Sequence, residues 1–494
     1  VVDPMSARRA GLLLHPTSLP GPYGVGDIGP NARRLLHWLD AAGLRIWQVL
    51  PLLVTDENGC PYASPSAFAA EPLLLSVDDL VSDGWLAPDE RPFSPLPAHR
   101  VDWSDVKARK GAALRAAADR IAASVDVFAW APPWALDWAR HQAISEELGT
   151  EWPIWPTPLR DRDPAALAAA DDRLRPAIAR HLALQWAFDV QWARLREAAA
   201  ALGVEIWGDL PMFVGSAGAD TWANPSLFRL DADRRPTVVT GAPPDQFTPL
   251  GQRWGHAHFD VPAHAASGFA WWLDRVARVL QHTDAVRLDH FRGLAAVWEI
   301  PVADEDARGG QWVPSLGAPL LSAIRERFGK VPIIAEDLGV ITPDVEALRD
   351  QFELPGMAVL QFGFGGTSSP HLPHTHRQRL VVYTGTHDND TAVGWYDASN
   401  AATQDHARRY LSCSGADIAW DLIRVGYRSV ADSVVIPLQD ALSLDGQARM
   451  NTPGVAAGNW AWRCGSEALT LPLARRLRNE ALLTDRLPMR KDEP

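Results

Sequence analysis

The 494-residue chain has only three cysteines, Cys60, Cys413 and Cys464. They lie far apart and form no CxxC pair, so neither a disulfide framework nor a cysteine-based metal site is expected. A reducing compartment, the cytoplasm, fits that usage best. No stretch approaches the ~20 apolar residues a membrane span needs. Val1 to Gly11 lacks a long apolar run after its basic residues, which argues against a signal peptide; Met5 reads as the natural start, with Val1 to Pro4 added ahead of it. Basic residues are in deficit, Lys+Arg 47 against Asp+Glu 60, for a net charge of −13. That disfavours nucleic acid or an anionic membrane as the main partner, because phosphate binding needs a basic surface. Tyrosine is scarce at 6, whereas tryptophan is abundant at 22. Indole faces stack on flat apolar surfaces, sugar C–H faces included, although most Trp side chains pack inside a protein.

What is present is ordinary for a globular chain: 47% hydrophobic and 22% charged residues. The segment HPTSLPGPYGVGDIGP, His15 to Pro30, is too rich in Pro and Gly for a helix or central strand and reads as a long loop. A helix follows over Ala32 to Ala42. From about Val101 to Leu202, Ala- and Arg-rich sequence with apolar residues at helical spacing predicts two or three helices, split near Trp130–Trp134 and Trp152–Pro158. Elsewhere short apolar runs alternate with helical segments such as Phe269 to Gln281, Leu316 to Phe328 and Ala402 to Cys413. The candidate strands are Leu44–Leu53, Pro72–Val77, Val204–Gly208, Ala285–Asp289, Val331–Glu336, Ala358–Phe362, Leu380–Tyr383 and Ser433–Pro437. Eight strands alternating with helices point to a parallel sheet, either a (β/α)8 barrel or an open doubly wound sheet.

Several of these strands end in an acid: Asp209, Asp289, Glu336 with Asp337, and Asp388. Asp is common at helix caps and turns. Successive acids at the same ends of barrel strands, however, would converge on the C-terminal face, where barrel active sites sit. Arg287 and Asp289 are two apart and so share one side of an extended strand. A guanidinium there keeps the carboxylate ionised, as a nucleophile requires. Glu336 ends an apolar run, where burial raises a carboxyl pKa and suits a general acid. Two carboxyls tuned in opposite directions are the retaining glycosidase arrangement.

The blocks VRLDHFRG (286–293), AEDLG (335–339) and THDNDT (386–391) resemble the signatures of the amylomaltases, bacterial 4-α-glucanotransferases of glycoside hydrolase family 77. HPTSLPGPYGVGDIG, WQVLPL, GDLPMFV, TWANPSLF, GQRWG and MNTPGVAAGNWAWR match further blocks in the same order. The resemblance implies a (β/α)8 TIM barrel of α/β class spanning residues 1–494. It implies a mainly helical inserted subdomain over 80–203, an acceptor-side loop over 235–262 and no separate C-terminal β-domain. It implies retaining transfer of α-1,4-glucan segments to glucose or another glucan, without cofactor or metal, by a monomer. An α-glucan hydrolase of the same clan and a non-catalytic glucan-binding barrel are the alternatives.

Residue by residue, the resemblance makes Asp289 the nucleophile, Glu336 the acid/base and Asp388 the third carboxylate, which holds sugar hydroxyls. Arg287, His387, Asp209, Tyr62, Trp254, Asn459, His290 and Asn389 are the substrate-binding set it implies. Departures from the family pattern concentrate in two places. Gly59 and Cys60 replace an Asp and a Ser before Pro61-Tyr62, and an aromatic residue expected near Glu57 is missing. Gln246 stands where Tyr is common, and HAHFD follows Gly255 in place of an NPLYDW-like run. HLPHTH (371–376) lacks the spacing of a zinc site, and GFGG (363–366) lacks the Lys-Ser/Thr of a nucleotide loop. The Asp304–Gly310 run reads as a solvated loop, and Cys60 as a neutral thiol.

Overall fold

The apolar runs that define the sheet are buried along their whole length, LVVY at Leu380–Tyr383 and SVVIP at Ser433–Pro437 among them. Burial on both faces is what parallel strands covered by helices require. The computed structural model describes residues 8–92, 99–244, 248–455 and 457–487; Met5, Val1–Pro4 and Gln246 lie outside them. Its strands are β1 Arg9–Leu13, β2 Ile46–Gln48, β3 Glu205–Leu210, β4 Val238–Ala242, β5 Gln252–Ala257, β6 Ala285–Leu288, β7 Ala296–Pro301, β8 Gln311–Pro314, β9 Ile333–Ala335, β10 Gly356–Val359, β11 Leu380–Tyr383 and β12 Ser433–Pro437.

Eight of them form one parallel sheet in the order β10-β11-β12-β1-β2-β3-β6-β9. The remaining seam is bridged where Ala335 N–H donates to Pro355 O at 2.9 Å. The sheet is thus a nearly closed (β/α)8 barrel. No further strand follows β12 among the described residues. None of the described helices is long and apolar enough to cross a membrane.

Two strand expectations need correction. β1, which pairs with both β12 and β2, is a strand the sequence pattern did not single out. Gly11 is required in it, because a Cβ there would lie 2.5 Å from Ile46 Cβ. Pro72–Val77 is not a strand. Its first residues form a 3-10 turn, Pro72–Leu74, in which Glu71 accepts from Leu73 N–H. Ser76 then caps the helix Val77–Ser82 by accepting from Asp79 N–H. Local capping outcompetes extension here, and side chains satisfy the remaining backbone groups. Gln191 pairs with both N–H and C=O of Ser76, and Lys110 Nζ donates to Leu73 O at 2.7 Å. The expected strand Ala358–Phe362 is also cut short, since Leu360–Gly365 coils into a 3-10 helix.

Between β2 and β3 run three long helices, Trp103–Ser124, Pro133–Leu148 and Pro164–Ala201. Asp102 caps the first and Asp163 the third. Within 235–262 the chain forms β4 and β5, which join β7 and β8 in a four-stranded antiparallel sheet, β5-β4-β7-β8. The Asp304–Gly310 run links β7 to β8 and is not wholly solvated. Ala307 is fully buried; its N–H donates to Leu250 O, and its carbonyl accepts from Trp298 Nε1.

Most of the tryptophans prove to be packing residues. Trp47, Trp152, Trp192, Trp207, Trp222, Trp272 and Trp420 are almost fully buried, and each such side chain contributes about 2 kcal/mol of apolar burial.

Candidate active site

The C-terminal ends of β3, β6, β9 and β11 deliver Asp209, Asp289, Glu336 and Asp388 to one mouth. Asp209 and Arg287 are register partners on β3 and β6. The Arg287 guanidinium lies between two acids, donating from Nη1 to Asp209 Oδ2 at 2.5 Å and from Nη2 to Asp289 Oδ1 at 2.9 Å. Burial opposes the cation, but the two carboxylates more than offset it and hold Arg287 protonated. The Asp209 side chain is fully buried, whereas that of Asp289 is about a quarter exposed. Asp289 alone of the pair therefore has a face free to meet a ligand.

Glu336 is held differently. Its Oε2 accepts from His290 N–H at 2.7 Å, its own N–H donates to Leu288 O at 3.1 Å, and its carbonyl accepts from Phe291 N–H at 3.2 Å. These bonds rivet the chain carrying Glu336 to the chain carrying Asp289. His290 adopts a left-handed conformation with φ 48°, a strained choice for a residue with a side chain, and its N–H thereby meets Glu336. Burial raises the Glu336 pKa well above the usual carboxyl range; Arg287 opposes that shift, while Asp289 and Asp337 reinforce it. Asp337 itself points away, bound by Arg349 Nη1 at 2.5 Å and Met357 N–H at 2.7 Å.

Across the mouth, Asp388 Oδ1 accepts from Asn451 Nδ2 at 2.7 Å and lies 3.3 Å from His387 Nε2. Arg449 Nη2 donates to Asp388 O, and Asn451 N–H to His387 O. Tyr62 ties the two halves together. Its ring stacks on His387 at 5.0 Å and 9°, and its hydroxyl donates to Asp209 at 2.6 Å. Trp460, with φ 60°, packs against both rings. Trp254 on β5 stands edge-on to His290 at 4.9 Å.

The structure therefore gathers Asp209, Tyr62, Arg287, Asp289, His290, Glu336, His387, Asp388 and Trp254 into one site. Asn389 and Asn459 are engaged in their own loops. Asn389 Oδ1 accepts from Thr386 N–H and Oγ1, and Asn459 bonds Thr452 and Val455. Asn451, Arg449 and Trp460 were not singled out from the sequence, although the MNTPGVAAGNWAWR block contains Asn451 and Trp460. At the first departure, Gly59 has φ 84°, and a Cβ there would lie 2.0 Å from the Trp103 indole, so no side chain fits. Burial pushes the Cys60 thiol up to about 11, which leaves it neutral. Among the described residues no cluster of His, Cys, Asp or Glu has the makings of a metal site. His374 and His376 bond Tyr410 and Ser429, and His371 Nδ1 accepts from Val359 N–H.

An aspartate clamped by a guanidinium, beside a second carboxyl kept protonated by burial, has the makings of attack at carbon with proton donation to a leaving oxygen. Comparisons with known proteins identify the family. The family model described as 4-alpha-glucanotransferase, glycoside hydrolase family 77, matches residues 14–468. The 4-alpha-glucanotransferase of Thermus thermophilus is 44% identical over 502 residues, covering 97% of this chain and 99% of its own. The chloroplastic/amyloplastic enzyme of Arabidopsis thaliana is 43% identical over 479 residues, 94% of this chain and 83% of its own. The solved amylomaltase from Streptococcus agalactiae in complex with acarbose superposes with a TM-score of 0.94 at 31% identity, covering 97% of this chain and 100% of that one.

Proposed function

The chain belongs to the glycoside hydrolase family 77 4-α-glucanotransferases, and from that premise we propose that Asp289 is the nucleophile, Glu336 the acid/base and Asp388 the holder of the reacting sugar in its transfer of α-glucan segments. Asp289 attacks the anomeric carbon of the donor. The bond from that carbon to the glycosidic oxygen breaks, and the Glu336 proton passes to that oxygen. The acceptor's 4-hydroxyl then gives its proton to Glu336 and attacks the same carbon, releasing Asp289 with net retention. Asp388 and His387 bind hydroxyls of the sugar whose ring distorts, an interaction that strengthens as positive charge develops.

The reading rests on one observation, the unequal surroundings of the two acids. Asp289 has a guanidinium at 2.9 Å, whereas Glu336 has a backbone N–H and burial. With the family membership, the proposal takes α-1,4-glucans as the donors and glucose or a glucan as the acceptor. Two carboxyl groups suffice for the chemistry, so no cofactor is required. The same reading takes residues 80–203 as an inserted helical subdomain, residues 235–262 as the acceptor-side segment, and the enzyme as a cytoplasmic monomer.

The test is the product pattern from maltotriose. Longer oligomers beside glucose are expected, and Asp289→Asn is expected to abolish them while leaving the fold intact. Products limited to shorter sugars would mean hydrolysis, and a fully active Asp289→Asn would remove the nucleophile assignment.

A further inference from the structure

The strand β5 carries a polar group that the chemistry above does not use. Gln252 and Trp254 share one face of it by the two-residue period, where Trp254 Nε1 donates to Gln252 Oε1 at 3.1 Å. A bulge around Gly255, at φ 80°, breaks that period, and it is the Phe213 ring, 6.0 Å from both, that brings His256 beside Trp254 on the same face. This face looks toward the acids. Trp254 meets His290, and the rings of His256 and His290 both lie against Phe213, at 6.0 and 6.1 Å. Ser216 Oγ fixes the strand between them by donating to Gly255 O at 2.7 Å.

Two imidazole nitrogens in this cluster, His256 Nδ1 and His290 Nε2, are buried and have no hydrogen-bond partner. A buried polar atom left unpaired costs on the order of 1–3 kcal/mol, a cost that a ligand's hydroxyl would remove. Burial pushes both imidazoles down to about 4, against the opposing pull of Asp289, so both are neutral. A neutral imidazole nitrogen either donates or accepts, and a sugar hydroxyl answers both.

Position decides which sugar. Asp388, His387 and Tyr62 gather on the β11 side of Asp289. The β5 face lies on the other side, next to His290, whose N–H holds Glu336. The oxygen that Glu336 protonates joins the sugar on the Asp388 side to the sugar on the His290 side. We propose that His256 is a specificity-determining residue that hydrogen-bonds a hydroxyl of the leaving and incoming sugar, the acceptor side of the reaction. This rests on the assignment of Asp289 and Glu336 made above.

The experiment uses the whole enzyme with α-maltosyl fluoride as donor and glucose as acceptor. The initial burst of fluoride reports attack by Asp289, and the dependence of transfer on glucose reports the acceptor side. His256→Phe keeps a ring against Phe213 but removes the nitrogen. It is expected to raise the glucose KM about tenfold with a burst rate changed by less than about threefold. His256→Asn, which restores a donor and an acceptor, is expected to recover most of that loss. His256→Ala serves the same comparison if the phenyl ring does not pack. An unchanged glucose KM in the nitrogen-free variant overturns the proposal, as does an equal loss in burst and transfer, which would mark a packing role. Asp289→Asn in the same assay tests the underlying assignment separately: a surviving burst would refute the nucleophile whatever His256 does.

Discussion

The β6 and β11 ends of the barrel each present an aspartate, but they hold it by opposite means. Asp289 is gripped through strands, by a buried guanidinium that spans β3 and β6. Asp388 is gripped through loops, by the Asn451 amide and the Arg449 contact to its carbonyl. The first arrangement sets the side chain against a fixed positive charge. The second fixes position and leaves the carboxylate 42% exposed, free to take hydroxyls. On the proposed roles, the chemistry of attack is built into the sheet, whereas sugar-holding is delegated to segments that meet only in the finished fold.

Substitutions break this comparison in graded steps. Asp289→Asn should lower kcat on maltotriose by roughly 10⁴-fold or more with the fold intact by circular dichroism; a loss under tenfold would deny the β6 side its role. Glu336→Gln should cost about 10²–10⁴-fold on maltotriose but far less on α-maltosyl fluoride, whose leaving group needs little protonation. An equal loss on both donors would mean Glu336 supplies no proton. Because the Glu336 pKa is raised and the proposed acid works in its protonated form, kcat/KM should fall as pH rises through that raised value. The alkaline limb should therefore lie well above the ordinary carboxyl range.

Asp209→Asn probes the strand side through stability. Breaking one arm of a buried ion pair should cost about 3 kcal/mol in urea unfolding, and an unchanged midpoint would mean the Asp209–Arg287 arm is dispensable. Asn451→Ala probes the loop side and should lower kcat/KM about tenfold, the worth of one hydrogen bond to a charged group, with stability little affected. If it destabilised as much as Asp209→Asn, the distinction between the two ends would collapse.

Much of this was legible in the sequence because it is local. An acid after an apolar run, an Arg two residues before it, and an ordered set of blocks are visible along one line. Seven of the eight barrel strands carried enough consecutive apolar residues to be recognised. β1 did not, since its five residues begin with Arg9, which the fold buries beside Trp207 in an ion pair with Glu205 at 2.6 Å. Pro72–Val77 looked like a strand because its leucines are buried, but caps and side-chain amides, not a neighbouring strand, satisfy its backbone. The antiparallel sheet was invisible for a different reason: β4 pairs with β7 across the whole of β6, and neither strand has a strong pattern of its own. Asn451 and Trp460 likewise acquire their roles only where the segment after β12 folds back over the loop after β11. Asn459 lies in that same segment, yet its side chain closes the loop it belongs to.

The pairing of β1 with β12, Arg9 opposite Ser433, carries a consequence for biosynthesis. As the chain leaves the ribosome, β1 and β2 can join early, but the outer edge of β1 has no neighbour until residues beyond Ser433 have emerged. The nascent protein is then an open sheet with a bare edge, the kind of surface that invites wrong strand partners. Ring closure, and with it the meeting of Tyr62 and His387, is a late event in the making of this enzyme.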